Sequence, residues 1–180
     1  MIIFDTETTG IPASIGTPLE RQPHIIEFAA IKLDDKTMKE VGRLEFLCNP
    51  EKPLTPFITK LTGITNEDVK DKPVFASYYP EMVKFFKNEH VLIAHNIAFD
   101  MKMLTIELQR IGMSAFDDFP MPEKKVCSML KSQYINGKWM KLAHLYEHLT
   151  GDKFKEAHRA MKDTEALTEC VKILRMKNKL

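Results

Sequence analysis

The chain opens on an apolar run, Ile2, Ile3 and Phe4, that ends in two acids, Asp5 and Glu7. Residues 1–5 read as a short buried strand, and side chains two apart on a strand share a face, so Asp5 and Glu7 project together. Two unpaired carboxylates at that spacing repel each other. Burying them is costly unless a cation or a proton neutralises the charge, and hard oxygen donors of this kind suit Mg²⁺ or Mn²⁺. The fold must therefore supply a place where an acidic strand end is tolerated.

Two further acids follow a helical rule. The pattern from Ile97 to Ile111 is helical, and Asp100 stands in line with Leu104, Leu108 and Ile111, on the face that should be apolar. Asp163 does the same with Leu167, Cys170, Val171 and Leu174, in a helix expected over Ala160 to Met176. A helix-start Asp also serves as a cap or dipole partner, which accounts for either residue alone. It does not account for both facing inward, so these four acids and the nearby His158 are expected to share one site.

At 180 residues the chain is long enough for one sizeable core and short for two, so one domain spanning 1–180 is expected. A net charge of +1 argues against a protein that coats long stretches of nucleic acid and leaves room for an enzyme gripping a few nucleotides at a terminus. Cys48, Cys127 and Cys170 are odd in number and lack C-x-x-C spacing. They read as buried hydrophobes in a reducing cytosol rather than as zinc ligands or disulfides. With the first strand beginning at Ile2, no signal peptide is expected ahead of it, and no apolar run approaches membrane-spanning length. A cytoplasmic protein without membrane contact is the expectation.

The pattern gives a strand-rich first third and a helix-rich remainder. Strands are expected at Ile25–Leu33 and Arg43–Asn49, where Leu44, Phe46 and Cys48 alternate, with a turn at Asp34-Asp35-Lys36 that favours antiparallel pairing. The loop Ile11–Pro23 between the first two strands is long and leaves directly from the acidic strand; such loops are usually functional or mobile. Short helices follow Pro50, Pro53 and Pro56. Next come a helix at Phe75–Lys87, a strand at Val91–Ala94, the Asp100 helix, and a short strand at Lys125–Cys127. Helices at Ser128–Tyr134, Met140–Leu149 and Ala160–Met176 complete the chain, with Asn136-Gly137 as a turn. Three antiparallel strands followed by alternating helices and strands imply an α/β fold, a mixed sheet flanked by helices with Asp5 and Glu7 at the end of its central strand.

Asp5-x-Glu7, Asn96-x-x-x-Asp100 and His158-x-x-x-x-Asp163 together resemble the three exonuclease motifs of the DEDD superfamily, in its histidine-bearing (DEDDh) branch. That branch includes the proofreading subunit of bacterial DNA polymerase III, exodeoxyribonuclease X, RNase T and oligoribonuclease. The segments Ile25-Ile26-Glu27 and Leu61-Thr62-Gly63-Ile64 and the closing helix extend the resemblance over nearly the whole chain. A lone D-x-E is weak, but three motifs in order and at similar spacing are specific. The resemblance implies a ribonuclease H-like fold with a five-stranded mixed sheet.

It also implies a chemistry. Hydrolysing a phosphodiester needs an in-line hydroxide and charge relief on the leaving 3′ oxygen, and two Mg²⁺ or Mn²⁺ ions serve both needs. Asp5 is the expected bridge between the ions, with Glu7 and Asp163 completing one shell and Asp100 holding the second ion, directly or through water. Imidazole is no ligand of choice for hard ions, so His158 is cast as the general base that deprotonates the attacking water. The alternative for His158, a surface loop histidine, is outweighed by Asp163 behind it.

Thr8, Thr9 and Gly10 could offer backbone N–H groups to a terminal nucleotide, although Thr-Gly after a strand is also plain turn chemistry. In the resembled family this stretch contacts the 3′-terminal residue, which favours the functional reading. Gly63 ends a helix, and Thr65 caps the next with Asp68; the family also places Ile64's counterpart against a terminal base, and the two readings are compatible. Asn96 and Phe99 flank Asp100 as further substrate contacts, Phe99 doubling as a core residue. Glu27 reads as a buried polar group on a strand without a catalytic role. Lys172, Arg175, Lys177 and Lys179 form a modest basic patch that a solvated helix end explains.

His144-Leu145-Tyr146-Glu147-His148 spells H-x-x-E-H, a zinc peptidase signature with its histidines one helical turn apart. Five residues with three fixed positions recur by chance, while Leu142, Leu145 and Leu149 give that helix an ordinary buried stripe. A nucleic-acid-binding module without catalysis is a third class, opposed by the intact acidic set. The sequence therefore reads as a metal-dependent 3′→5′ exonuclease releasing nucleoside 5′-monophosphates from single-stranded DNA 3′ ends. RNA is the alternative substrate, and a polymerase or another replication or repair protein the candidate partner.

Overall fold

A computed structural model describes residues 1–154 and 158–178. Its centre is a mixed sheet of five strands, β1 (Ile2–Thr8), β2 (Ile25–Leu33), β3 (Glu40–Leu47), β4 (Val91–Ala94) and β5 (Lys124–Cys127), in the order β3-β2-β1-β4-β5. The first three strands pair antiparallel, and β4 and β5 add in parallel beside β1. Placing β1 in the middle explains its start: both faces are covered there, so Ile2, Ile3 and Phe4 are successive apolar residues ahead of the polar stretch Asp5–Thr8.

The helices are α1 (Pro56–Thr62), α2 (Asn66–Val69), α3 (Tyr79–Phe86), α4 (Ile97–Arg110), α5 (Ser128–Asn136), α6 (Leu142–Thr150) and α7 (Ala160–Met176). On one face of the sheet, Ile2, Phe4, Phe28, Ala30, Leu44 and Phe46 pack with Met82 and Phe86 of α3 and Leu104 and Leu108 of α4. On the other, Ile3, Ala29, Ile31, Leu33 and Ile93 pack with Leu145 of α6 and Leu167, Cys170 and Val171 of α7. Strand alternation thus sends Ile3, Asp5 and Glu7 toward α7 and Phe4 and Thr6 toward α4. A third cluster, Ile26, Leu54, Ile58, Ile64 and Val69, seats α1 and α2 against the rim.

Most expected elements form, and the deviations have local causes. The first strand runs on to Thr8 because it pairs with β2 through its full length. The third strand starts at Glu40 and ends at Leu47, although the Cys48 N–H still donates to the Ile26 carbonyl at 2.8 Å. The segment Phe75–Lys87 divides into a 3₁₀ turn (Phe75–Tyr78) and α3, since Pro80 sits in the first turn of an α-helix and cannot donate to a preceding one. Helix α6 begins at Leu142 rather than Met140: the Met140 N–H donates to Ser132 Oγ at 2.8 Å, and its carbonyl lies 2.9 Å from His95 Nε2. The turn at Asp34 is held by its carboxylate, which accepts from Thr37 N–H and Oγ1, both at 2.7 Å. Thr65 and Asp68 form the expected reciprocal cap of α2. All three cysteines are free. Among the described residues no helix is long and apolar enough to cross a membrane. Of the C-terminal basic residues, Lys179 lies outside the described residues.

Candidate active site

β1 runs parallel to β4, so their carboxyl ends lie on the same rim of the sheet, and α4 leaves from that rim immediately after β4. Asp5 and Glu7 project from the last residues of β1, and Asp163 from the first turn of α7 packed on the same face. Carboxylate oxygens of Asp5, Glu7 and Asp163 all lie within 4.8 Å of one another. Among the described residues this is the one group of three His, Cys, Asp or Glu side chains close enough to hold a metal ion in common.

Asp100 enters from the other side. It is carried by the first turn of α4 and is 2% exposed. Its Oδ1 accepts a hydrogen bond from Thr6 Oγ1 at 2.8 Å, and Thr6 is the strand residue between Asp5 and Glu7 that faces α4. Burial pushes the Asp100 carboxyl up to about 7 despite the Thr6 bond, with Asp163 adding to the rise. The sequence pattern placed Asp100 on an apolar face, and its neighbours Met103, Leu104 and Leu108 are buried as that pattern requires.

Electrostatics identify this region as strained by charge. Burial, then Asp100, Asp163 and Glu7, drive the Asp5 carboxyl well above the ordinary range. Burial, then Asp163 and Glu27, raise Glu7 to about 8. Burial raises Asp163 to about 6, although the His158 N–H pulls it back. Helix starts favour anions by about 0.3–1 kcal/mol each, small beside the several kcal/mol of desolvating a carboxylate, so burial wins. A bound divalent cation would reverse this balance, and a set of hard carboxylate oxygens fits such an ion.

His158 precedes α7 and is exposed, with its backbone in the left-handed region at φ 71°. The tie between His158 and Asp163 is through the main chain: His158 N–H donates to Asp163 Oδ2 at 2.8 Å. Among the described residues no side chain caps α7, whose N-cap is Arg159; Asp163 instead ties the preceding loop to the first turn of the helix.

The remaining candidates divide. Thr8 Oγ1 donates to the Gly10 carbonyl at 2.7 Å, and Thr9 Oγ1 accepts from His24 N–H at 2.9 Å. The Thr9 N–H donates to the His24 carbonyl at 2.9 Å, so that amide is engaged within the protein. A Cβ at Gly10 would meet Pro23 at 4.0 Å, an ordinary contact, so packing does not require glycine there. Gly63 takes φ 73° to end α1, as the sequence suggests, and Ile64 is 2% exposed with its side chain in the third core cluster. Asn96 is exposed and left-handed at φ 72°, and Phe99 is partly buried against the α4 side of the core. His144, Glu147 and His148 are all exposed on α6 and do not form a three-residue metal cluster, while Leu145 is buried as the apolar stripe predicts.

One buried polar group near the site escapes the sequence reading. Glu107, 3% exposed, accepts from Ile25 N–H at 2.9 Å and Arg110 Nη1 at 2.8 Å, and Arg110 Nη2 donates to the carbonyls of Leu19 and Gln22. Together they moor the far end of the long loop that leaves β1. The signal was available, because Glu107 lies seven residues after Asp100 on the same helix face. Glu27, read from the sequence as a buried polar group on a strand, is indeed 1% exposed, directly across the sheet from Glu7.

The sequence pattern of the family described as "Exonuclease" matches residues 2–171. The PolC-type DNA polymerase III of Caldanaerobacter subterraneus subsp. tengcongensis is 33% identical over 168 residues, which cover 93% of this chain and 11% of that protein. The DNA polymerase III subunit epsilon of Rickettsia felis is 29% identical over 171 residues, covering 93% of this chain and 70% of its own length. The chain thus spans about a tenth of the length of the PolC-type relatives. Among solved structures, the nuclease domain of 3'hExo, a DEDDh family member bound to rAMP, aligns with a TM-score of 0.74 at 20% identity, over 98% of this chain and 91% of that one. At that identity the likeness concerns the fold, which is the ribonuclease H-like sheet expected from the sequence.

Proposed function

This chain belongs to the exonuclease family, and we propose that it hydrolyses phosphodiester bonds from the 3′ end of single-stranded DNA, releasing nucleoside 5′-monophosphates. The observation that carries this reading is the convergence of Asp5, Glu7 and Asp163 within 4.8 Å, with Asp100 held beside them by Thr6. Chains built only for stability do not gather buried carboxylates whose charges oppose one another. Asp5, Glu7, Asp163 and Asp100 would hold two Mg²⁺ or Mn²⁺ ions, which supply charge relief at the phosphate and a more acidic attacking water.

The protein's own groups do the rest. His158, exposed at the start of α7, accepts the proton of the attacking water on a ring nitrogen. Asp163 keeps the His158 backbone in place through the 2.8 Å bond. Thr8, Thr9 and Gly10, at the exit of β1, and Asn96 and Phe99, ahead of Asp100, flank the acids where a strand terminus would lie. Gly10, having no side chain, lets the terminal nucleotide approach its backbone. Gly63 and Ile64 shape the rim from the α1 side. Residues 1–180 act as one exonuclease domain. The names of the relatives, DNA polymerases III, support DNA as substrate and work beside a polymerase or another replication or repair protein in the cytoplasm.

A digestion series on matched single-stranded DNA, duplex DNA and RNA, each labelled at the 5′ end, tests the reading. Progressive shortening of the labelled DNA with Mg²⁺ or Mn²⁺ is expected, fastest on the single strand and on a primer with a mismatched terminus. Cutting of a closed single-stranded circle would overturn the terminal mode of attack. Faster digestion of RNA than of DNA would move the substrate to RNA within the same mechanism.

A further inference from the structure

Glu27 is a buried acid that the mechanism above leaves without a task. It sits on β2 directly opposite Glu7 in the sheet register and is 1% exposed. An apolar residue there would continue the stripe of Ala29, Ile31 and Leu33 that packs on α7. A carboxylate instead must be desolvated beside Glu7 and Asp163, which like-charge pairing across strands makes worse. Stability is a poor reason for it.

Its hydrogen bonds give a better one. Glu27 Oε1 accepts from Arg159 Nη2 at 2.7 Å and Nε at 3.1 Å, and Oε2 accepts from the Ala160 N–H at 2.8 Å. Those are the two residues that follow His158. The His158 backbone is left-handed, a conformation that costs a non-glycine residue about 1–2 kcal/mol and persists only where the surroundings enforce it. Two carboxylates supply that enforcement from opposite sides: Asp163 holds the His158 N–H, and Glu27 holds the next two residues. The anchor is rigid because β2 is an interior strand, bonded to β1 on one side and β3 on the other.

We propose that Glu27 is a positioning residue, which fixes the imidazole of His158 over the acidic cluster by clamping Arg159 and the Ala160 amide. The proposal rests on the reading of His158 as the proton acceptor. Glu27→Gln keeps the shape and removes the charge that binds the guanidinium. It should lower kcat roughly tenfold to a hundredfold, the scale of a misplaced catalytic group, with KM and the Mn²⁺ binding isotherm within a few-fold of wild type. In a His158→Ala background the same substitution should cost no further rate, because groups that act as one unit are not additive.

A folded Glu27→Gln protein with wild-type kcat overturns the proposal. So does an equal fractional loss in the wild-type and His158→Ala backgrounds, which would mean that Glu27 acts on the acids or the fold at large. Where Glu27→Gln fails to melt cooperatively, the same pair of measurements on Arg159→Lys decides, since lysine keeps the charge and loses the two-pronged grip. A His158→Ala protein of full activity would instead refute the proton-acceptor assignment itself, whatever Glu27 does.

Discussion

The buried carboxylates of this protein fall into two regions that differ in what neutralises them. Glu27 and Glu107 each take a guanidinium and a backbone N–H from the chain itself, Arg159 with Ala160 in one case and Arg110 with Ile25 in the other. Asp5, Glu7 and Asp163 are gathered within 4.8 Å of one another, and burial together with neighbouring acids drives Asp5 and Glu7 to hold their protons. An acid with an internal cation serves as a strut. Acids whose charges oppose one another across a shared space await a cation from outside. Burial alone does not separate the two kinds, because burial also raises the Glu107 carboxyl, with Arg110 pulling it back.

The comparison breaks most sharply at Asp5. Asp5→Asn removes one member of the repelling set, so hydrolysis should fall by several orders of magnitude while the melting temperature of the ion-free protein holds or rises. Scanning calorimetry in a chelator beside single-turnover hydrolysis measures both, and an active Asp5→Asn protein would end the metal reading. His158→Ala comes next, with turnover lowered roughly 10²–10⁴-fold and Mn²⁺ affinity nearly unchanged. Equal losses in rate and affinity would make His158 a ligand.

On the strut side the loss appears in stability. Arg110→Ala strands Glu107 at 3% exposure, and removing one partner of a buried pair costs about 3–5 kcal/mol. Urea unfolding reads this directly, and a cost below about 1 kcal/mol would show that the pair is solvated after all.

The two regions also titrate in opposite senses. In chelator, the acidic cluster binds more protons folded than unfolded, since Glu7 is raised to about 8 and Asp163 to about 6. Its contribution therefore declines as pH rises from the ordinary carboxylate range through these values. His24, beside Glu107 and Arg110, is lowered to about 4 by burial, then by Arg110 and Lys52. Among the described residues its Nε2 is buried without a hydrogen-bond partner, and Nδ1 is 3.6 Å from a Glu107 oxygen already taken by Arg110, so the neutral ring is the folded form. The unfolded chain binds the His24 proton first, so this contribution rises from about pH 4 to the ordinary histidine range. Four raised carboxyls outweigh one lowered imidazole, so the stability of the chelated protein should fall as pH rises from about 4 to about 8, and Asp5→Asn should flatten that fall. A fall of unchanged steepness in Asp5→Asn would show that the acidic cluster does not set it.

The smallest effect belongs to α6. Replacing His144, Glu147 and His148 together with Gln should leave Mn²⁺-dependent hydrolysis within a few-fold, because all three are exposed and Leu145 alone of that segment is fully buried. Stoichiometric zinc in the wild-type protein, lost with the activity of this variant, would favour a peptidase.

Much of this arrangement is legible in the chain. Alternation along β1 put Asp5 and Glu7 on one face, and the helical spacing of Asp100 and Asp163 put both among buried leucines, because side-chain direction follows from local backbone geometry. Caps and turns at Gly63, Thr65 and Asp34 were readable for the same reason. Local rules fail where a partner is distant in sequence. The start of α6 shifted because Met140 is captured by Ser132 and His95, and the Thr9 amide was taken by His24.

The sequence by itself determined which residues could be buried, on which face of which element, and that four acids lay where apolar side chains belong. Only the tertiary structure decided that Asp100 reaches the site from the opposite side of the sheet through Thr6, and that Glu27 is tied to Arg159, 132 positions away. Hydrogen bonds and repulsions act over a few ångströms of space, whereas periodicity reports only direction. Which carboxylate finds a guanidinium and which finds another carboxylate is therefore settled when the sheet closes and α7 packs against it.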